Sequence, residues 1–262
     1  MKKNSWSSLA AKNIWVTGGA GYFGSVITAA LDAQCGKVVC FDLDDRAGAL
    51  VRDRKLSRTV PLSHNLSSAD ALPAIIDSTI AAHGLPDGVV HLSYASYGAN
   101  QALTELSAAT FQKTIEHNLA PTLVLCRELA ERMKPRRSGS IVLFSSMYGM
   151  VAPDPKTYVE PMKPNSVDYG ASKAALLQMS RYLAVHYGPS SIRFNCVTPG
   201  PFPHPGMQTS HPDFIQRLGA KTALGRIGQN DEMVGPTLFL LTDSASYVTG
   251  HNLVVDGGWT AW

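Results

Sequence analysis

Asn13-Ile14-Trp15-Val16-Thr17-Gly18-Gly19-Ala20-Gly21-Tyr22-Phe23-Gly24 decides how this chain is to be read. Its first five residues are a short apolar run closed by glycine, the pattern of a buried strand. Beyond the glycines, Val26, Ile27, Ala30 and Leu31 recur at helical spacing. A strand, a glycine turn and a helix in that order is the setting in which a glycine-rich stretch carries chemistry. Glycines let the backbone turn tightly and approach a pyrophosphate, whose charge the helix N-terminus meets. Gly18, Gly21 and Gly24 are the candidate contacts, with Tyr22 and Phe23 in the same loop. The competing reading is a tight turn with no ligand.

The next apolar run, Lys37–Phe41, ends in Asp42, at the expected distance from the glycines. A carboxylate there accepts hydrogen bonds from ribose hydroxyls and repels a 2′-phosphate, which favours NAD over NADP. Arg46 argues the other way, because an arginine can accommodate that phosphate; its acidic neighbours Asp44 and Asp45 favour its being paired or solvated. A third, shorter strand over 58–62 leads to His64-Asn65-Leu66, where an adenine would rest. A helix is expected over 67–83, a fourth strand over 88–93 and a short flexible segment over 94–98. A long helix over 109–133 carries Asn118, whose simplest reading is a solvent-facing side chain. The fifth strand, 140–145, is almost continuously apolar and delivers Ser145 and Ser146 at its C-terminal edge, where open α/β sheets place their ligands.

A proline-rich insertion, 151–164, precedes Tyr169-Gly170-Ala171-Ser172-Lys173. In a helix, Tyr169 and Lys173 lie four apart with adjacent side chains, and no other tyrosine in the chain has a lysine at that spacing. A phenol titrates near 10; bringing it to about 7 takes roughly 4 kcal/mol, which a neighbouring ammonium helps supply. The pair is thus a candidate proton-transfer device. A sixth strand over 191–197 ends in Pro199-Gly200, and 199–224 reads as a lid over the same sheet edge. A helix over 232–241 and a seventh strand over 252–255 follow. The βα alternation runs without linker or repeat, so the expectation is one domain over 1–262: a doubly wound, mainly parallel seven-stranded sheet with helices on both faces.

Composition limits the alternatives. With 45% hydrophobic residues, 16% charged residues and a net charge of +3, the 262-residue chain reads as an ordinary soluble enzyme-sized protein with no nucleic-acid signature. No apolar run has the length of a membrane span, and Met1–Lys12 lacks the apolar core of a secretory signal. Cys35, Cys40, Cys126 and Cys196 have no paired ligand spacing and read as buried free thiols in a reducing compartment, so no metal is expected and the location is expected to be cytoplasmic.

Together these pieces resemble the short-chain dehydrogenase/reductase family over roughly 13–258. Thr17–Gly24, Ile141–Ser146, Tyr169–Lys173, Ile192–Gly200, Gly225–Gly228 and Tyr247–Gly258 carry the resemblance. It implies a Rossmann fold and interconversion of an alcohol and a ketone with NAD. Tyr169 would be the general acid/base, and Lys173 would bind the nicotinamide ribose and lower the tyrosine pKa. Ser146, rather than Ser145, would hydrogen-bond the reacting oxygen, Asn118 would hold a water on the proton path, and Pro199-Gly200 would lie near the nicotinamide. The glycine spacing and Val90-His91-Leu92-Ser93 look like the extended branch of the family, with Tyr22 where the classical branch has glycine, whereas everything from Ser140 onward looks classical. Two other readings therefore stay open: a nucleotide-sugar epimerase or dehydratase that retains NAD, and a non-catalytic dinucleotide-binding regulator. Tyr22 is expected to pack on the sheet. Tyr148, Asp154, Lys156, Tyr158, Glu160 and Lys163 are candidates to face a polar, sugar- or polyol-like substrate, while His204 and His211 read as solvated. The family's habit of pairing its two long helices implies a homotetramer.

Overall fold

The computed structural model describes residues 9–99, 101–160 and 162–262, so Met1–Ser8 of the N-terminal reading and Pro161 of the insertion lie outside it. Seven strands form one sheet: β1 (Asn13–Thr17), β2 (Lys37–Asp42), β3 (Thr59–Ser63), β4 (Gly88–His91), β5 (Gly139–Phe144), β6 (Ile192–Pro199) and β7 (Asn252–Val255). Every pairing is parallel and the order is β3-β2-β1-β4-β5-β6-β7. From β1 the chain steps outward to β2 and β3, then crosses back to β4. The switch point therefore lies between β1 and β4, where such sheets open a crevice at their C-terminal ends.

The strands read as apolar runs because both faces are covered. Trp15, Ile141 and Leu143 face a core shared with α3 (Leu72–His83), α4 (Ala108–Met133) and α5 (Val167–Tyr187). Their neighbours Ile14, Val16, Val142 and Phe144 face the other core, against α1 (Gly24–Gln34) and α8 (Val234–Leu241). The period of two along β1 and β5 thus divides one sheet between two helical layers. Each fully buried Leu or Ile contributes about 1.5–3 kcal/mol of transfer free energy.

Three elements depart from the sequence reading. Helix α2 (Arg46–Arg54) was not anticipated, because it buries only Ala47 and Leu50 and is otherwise polar. The 67–83 helix begins instead at Leu72, after a single 3₁₀ turn over Ala69–Ala71. The 199–224 segment contains two helices, α6 (Pro205–Ser210) and α7 (Pro212–Ala220). Pro205 and Pro212 sit in the first turns of these helices, where a missing N–H costs nothing.

Candidate active site

The glycine turn comes first. Gly18 has φ +68°, and a Cβ on Gly24 would run into the Gly18 carbonyl and Gly19 backbone, so both positions need glycine for α1 to start this close to β1. Gly21 N–H closes the turn onto the Gly18 carbonyl at 3.1 Å. The N–H groups of Tyr22 and Phe23 find no acceptor among the described residues, leaving donors at the N-terminus of α1. Asp42, buried at the end of β2, accepts from Ala20 N–H and Leu43 N–H, each at 2.9 Å. Arg46 pairs with it at 3.2 Å. Asp42, Arg46, His64, Asn65 and Leu66 line one cavity with Gly18 and Gly21. Within it the Asn65 side chain is engaged by Ser67, whose N–H donates at 3.0 Å and hydroxyl at 2.7 Å.

Strand β5 delivers Ser145 and Ser146 into a short turn, Met147–Gly149, that rests on α5. This approach is possible because Gly170 has no side chain; a Cβ there would press on the Tyr148 carbonyl. The two serines consequently face different partners. The Ser145 hydroxyl donates to the Lys173 carbonyl at 2.8 Å, tying strand to helix. The Ser146 oxygen accepts Tyr148 N–H at 3.2 Å, and the Ser146 hydroxyl lies close enough to the Tyr169 phenol to act on its titration. Lys173, one helical turn on, is buried and donates to the Phe144 carbonyl at 2.9 Å. Ser146, Tyr169, Lys173, Pro199 and Gly200 line a single cavity of about 750 Å³.

Burial pushes the Tyr169 phenol up from its ordinary value, and the nearby Ser146 hydroxyl draws it partly back. The Lys173 ammonium lies 5.9 Å from the Tyr169 ring centroid and donates to the Phe144 carbonyl. Burial pushes Lys173 itself down to about 8, so near neutral pH it carries less than a full positive charge.

Asn118 also departs from its simplest reading. It is buried, its Oδ1 accepting from Ala95 N–H and its Nδ2 donating to the Ala95 and Thr114 carbonyls, all at 2.8 Å. Its own carbonyl accepts from the Thr122 hydroxyl at 2.6 Å. The side chain thus clamps the segment after β4, which carries Tyr94. That ring lies edge-on to Tyr169 at 5.3 Å and under the Lys173 ammonium at 4.5 Å.

A family model described as enoyl-(acyl carrier protein) reductase matches residues 21–260. The chain belongs to the short-chain dehydrogenase/reductase family. Cis-4-hydroxycyclohexanecarboxylate dehydrogenase of Sinomonas cyclohexanicum is 30% identical, with 94% of this chain and 95% of that protein covered. D-arabinitol 2-dehydrogenase (ribulose-forming) of Candida tropicalis is 27% identical, covering 97% and 94% respectively. Among solved structures, a short chain dehydrogenase from Leptospira borgpetersenii with bound NAD+ superposes with TM-score 0.84 at 27% identity, covering 99% of this chain and 97% of that one.

The loops around the site meet one another directly. Tyr22 does not pack on the sheet; its hydroxyl donates to the Pro203 carbonyl at 3.2 Å and its ring lies 4.3 Å from that of His204. The glycine loop is thereby tied to α6, and Phe23 stacks edge-on against Phe202 at 5.3 Å. Of the insertion candidates, Tyr148, Tyr158 and Lys163 line the cavity, as do His204 and His211. Asp154 instead pairs with Lys221 at 2.5 Å, and neither Lys156 nor Glu160 reaches the cavity. Sequence reasoning missed Tyr94. Nothing local marks it, since its role depends on the Asn118 clamp from a distant helix. Among the described residues no group of three His, Cys, Asp or Glu side chains could hold a metal ion, and no helix is long and apolar enough to cross a membrane.

Proposed function

We propose that this chain is an NAD(H)-dependent oxidoreductase that interconverts a secondary alcohol and a ketone, with Tyr169 as general acid/base. The observation that carries the reading is that Ser146, Tyr169 and, one helical turn on, buried Lys173 line one cavity beside the glycine loop. The residues present fit a dinucleotide. Unpaired N–H groups of Tyr22 and Phe23 suit a pyrophosphate, Asp42 suits ribose hydroxyls, and Asn65-Leu66 and Pro199-Gly200 would flank the two ends. When bound, the nicotinamide supplies or accepts the hydride.

The protein's own contribution is position and proton control. The Ser146 hydroxyl would donate to the substrate oxygen while its lone pair stays on Tyr148 N–H. Tyr169 would give its phenolic proton to that oxygen in ketone reduction and take it back in alcohol oxidation. Burial keeps the phenol protonated, which suits the reducing direction, so oxidation requires alkaline conditions or added positive charge. Lys173 would hold the nicotinamide ribose. Asn118, whose polar side-chain atoms and carbonyl are all engaged, acts as a positioning residue for Tyr94 and Ala95. Asp42 supports NAD over NADP, since its charge lies where a 2′-phosphate would sit and already occupies Arg46.

Relatives named for a cyclic hydroxy acid and a pentitol support a small secondary alcohol as substrate. The cavity's walls, including Phe23, Phe144, Met147, Phe202 and Phe214, favour a compact carbon skeleton within that class. Exposed Leu123, Tyr182 and Val185 on α4 and α5 support association of copies through these helices, which a homotetramer would use. The test is a panel of secondary alcohols supplied with NAD or NADP and followed by absorbance of the reduced cofactor. Net reduction with NAD is expected. Turnover without net reduction would favour the epimerase reading, and no turnover on any alcohol would refute both.

A further inference from the structure

Two phenols in the substrate cavity take no part in the proton transfer just described. Tyr148, two residues beyond Ser146, and Tyr158, from the insertion between β5 and α5, hydrogen-bond each other through their hydroxyls. Both line the same cavity as Ser146 and Tyr169. Burial is the main cause holding each protonated, and Tyr169 lies within electrostatic reach of both.

Two phenols carry two protons, and their mutual bond uses one. Neither oxygen has another protein partner among the described residues, so the second O–H is free to donate to a ligand oxygen in the cavity. Tyr148 is buried and Tyr158 half-buried, so such a bond would form in partly desolvated surroundings. The pair is also held in place from several sides. The Tyr158 ring packs on Phe214 of α7 at 5.4 Å, and the adjoining Thr157 carbonyl accepts from Arg217 Nε at 3.0 Å. Tyr148 is fixed through its N–H to Ser146 Oγ at 3.2 Å, which sets the pair's place relative to the reacting oxygen.

The remaining lining narrows the ligand. Phe144, Met162, Phe202 and Met207 present carbon, whereas Lys163, Asn165 and His204 are exposed and form the solvent-facing rim. A substrate with one distant oxygen satisfies the phenol pair and covers the apolar wall with carbon. An open-chain polyol would press unpaired hydroxyls against that wall. We propose that the Tyr148–Tyr158 pair binds a second oxygen of the substrate, and that the substrate class is an alicyclic alcohol carrying one further hydroxyl or carboxylate. This inference rests on the dehydrogenase reading above.

The test compares the wild type with the double variant Tyr148→Phe/Tyr158→Phe on cyclohexanol and on the positional isomers of cyclohexanediol. Replacing both partners by rings of the same shape leaves no orphaned donor, and NAD affinity by fluorescence titration reports whether the site is still folded. In the wild type at least one diol is expected to exceed cyclohexanol in kcat/KM by about tenfold or more. In the double variant that ratio is expected to fall to about 1–3, chiefly through KM, whatever happens to the cyclohexanol rate itself. A ratio near one in the wild type, or a ratio unchanged in the variant, overturns the inference while cyclohexanol oxidation upholds the dehydrogenase reading. If the wild type oxidises none of these alcohols the inference falls too, and the broader alcohol panel then decides the dehydrogenase reading separately.

Discussion

Acid is expected to destabilise this chain through one histidine. His91, at the end of β4, sits between Thr17 and Thr122, with Nδ1 2.7 Å from Thr17 Oγ1 and Nε2 2.8 Å from Thr122 Oγ1. The Thr122 proton goes to the Asn118 carbonyl at 2.6 Å, so Nε2–H must donate to Thr122 and Nδ1 must accept from Thr17. A second ring proton would convert that acceptor into a donor facing a hydroxyl that has no other partner. Burial first, and the charge of Lys173 second, push the ring from 6.5 down to about 4. Because the folded pKa lies below the unfolded one, the unfolded chain takes the proton first, and stability is lost as pH falls from 6.5 toward 4. The whole difference is on the order of 3 kcal/mol, of which about 2 kcal/mol disappears between about pH 7 and pH 5. Urea unfolding followed by tryptophan fluorescence at several pH values measures it, with His91→Asn as the non-titrating control. Carboxylates contribute equally to both proteins, so the wild type should lose about 2 kcal/mol more than the variant over that range. Parallel pH profiles for the two would refute the reasoning.

Other outcomes are expected from the same geometry. Asp42→Asn keeps the acceptor for Ala20 N–H but removes the charge and frees Arg46, so the kcat/KM preference for NAD over NADP should shrink by about tenfold or more; an unchanged ratio would place cofactor choice elsewhere. Ser146→Ala should lower kcat by about 100-fold, whereas Ser145→Ala loses a bond to the Lys173 carbonyl and should cost about 1 kcal/mol of stability with a much smaller kinetic effect; steady-state kinetics and thermal melts on both would expose a reversed assignment. Light scattering should give the mass of a tetramer, and replacing exposed Val185 and Tyr182 with charged residues should reduce it; a monomeric wild type would contradict this.

Much of the fold was legible because parallel strands covered on both faces must be apolar throughout. Five-residue runs such as Asn13–Thr17 announce themselves, and the glycines after β1 mark a turn tight enough to need them. Helix α2 was hidden because Arg46–Arg54 buries only two side chains and so lacks an apolar stripe. In the 199–224 segment, Pro205 and Pro212 begin two short helices that have too few apolar positions to show a sustained periodicity. The Ser146, Tyr169 and Lys173 positions could be read from strand ends and helical spacing, but their electrostatics could not. Helical spacing brings Lys173 beside Tyr169, but it carries no sign that burial acts on both groups or that the Phe144 carbonyl holds the ammonium. Tyr94 is brought to the site by the Asn118 clamp and by contacts with α5, and Tyr22 turns to the Pro203 carbonyl. Such long-range meetings leave no local periodicity to read.

The central claim is that Tyr169 exchanges the proton with the substrate oxygen. Tyr169→Phe removes only the phenolic oxygen, leaving the ring against Tyr94. Measured side by side, kcat/KM for alcohol oxidation should fall by about 100- to 10,000-fold while NAD affinity stays within about threefold of the wild type. Activity retained in that variant would contradict the account directly.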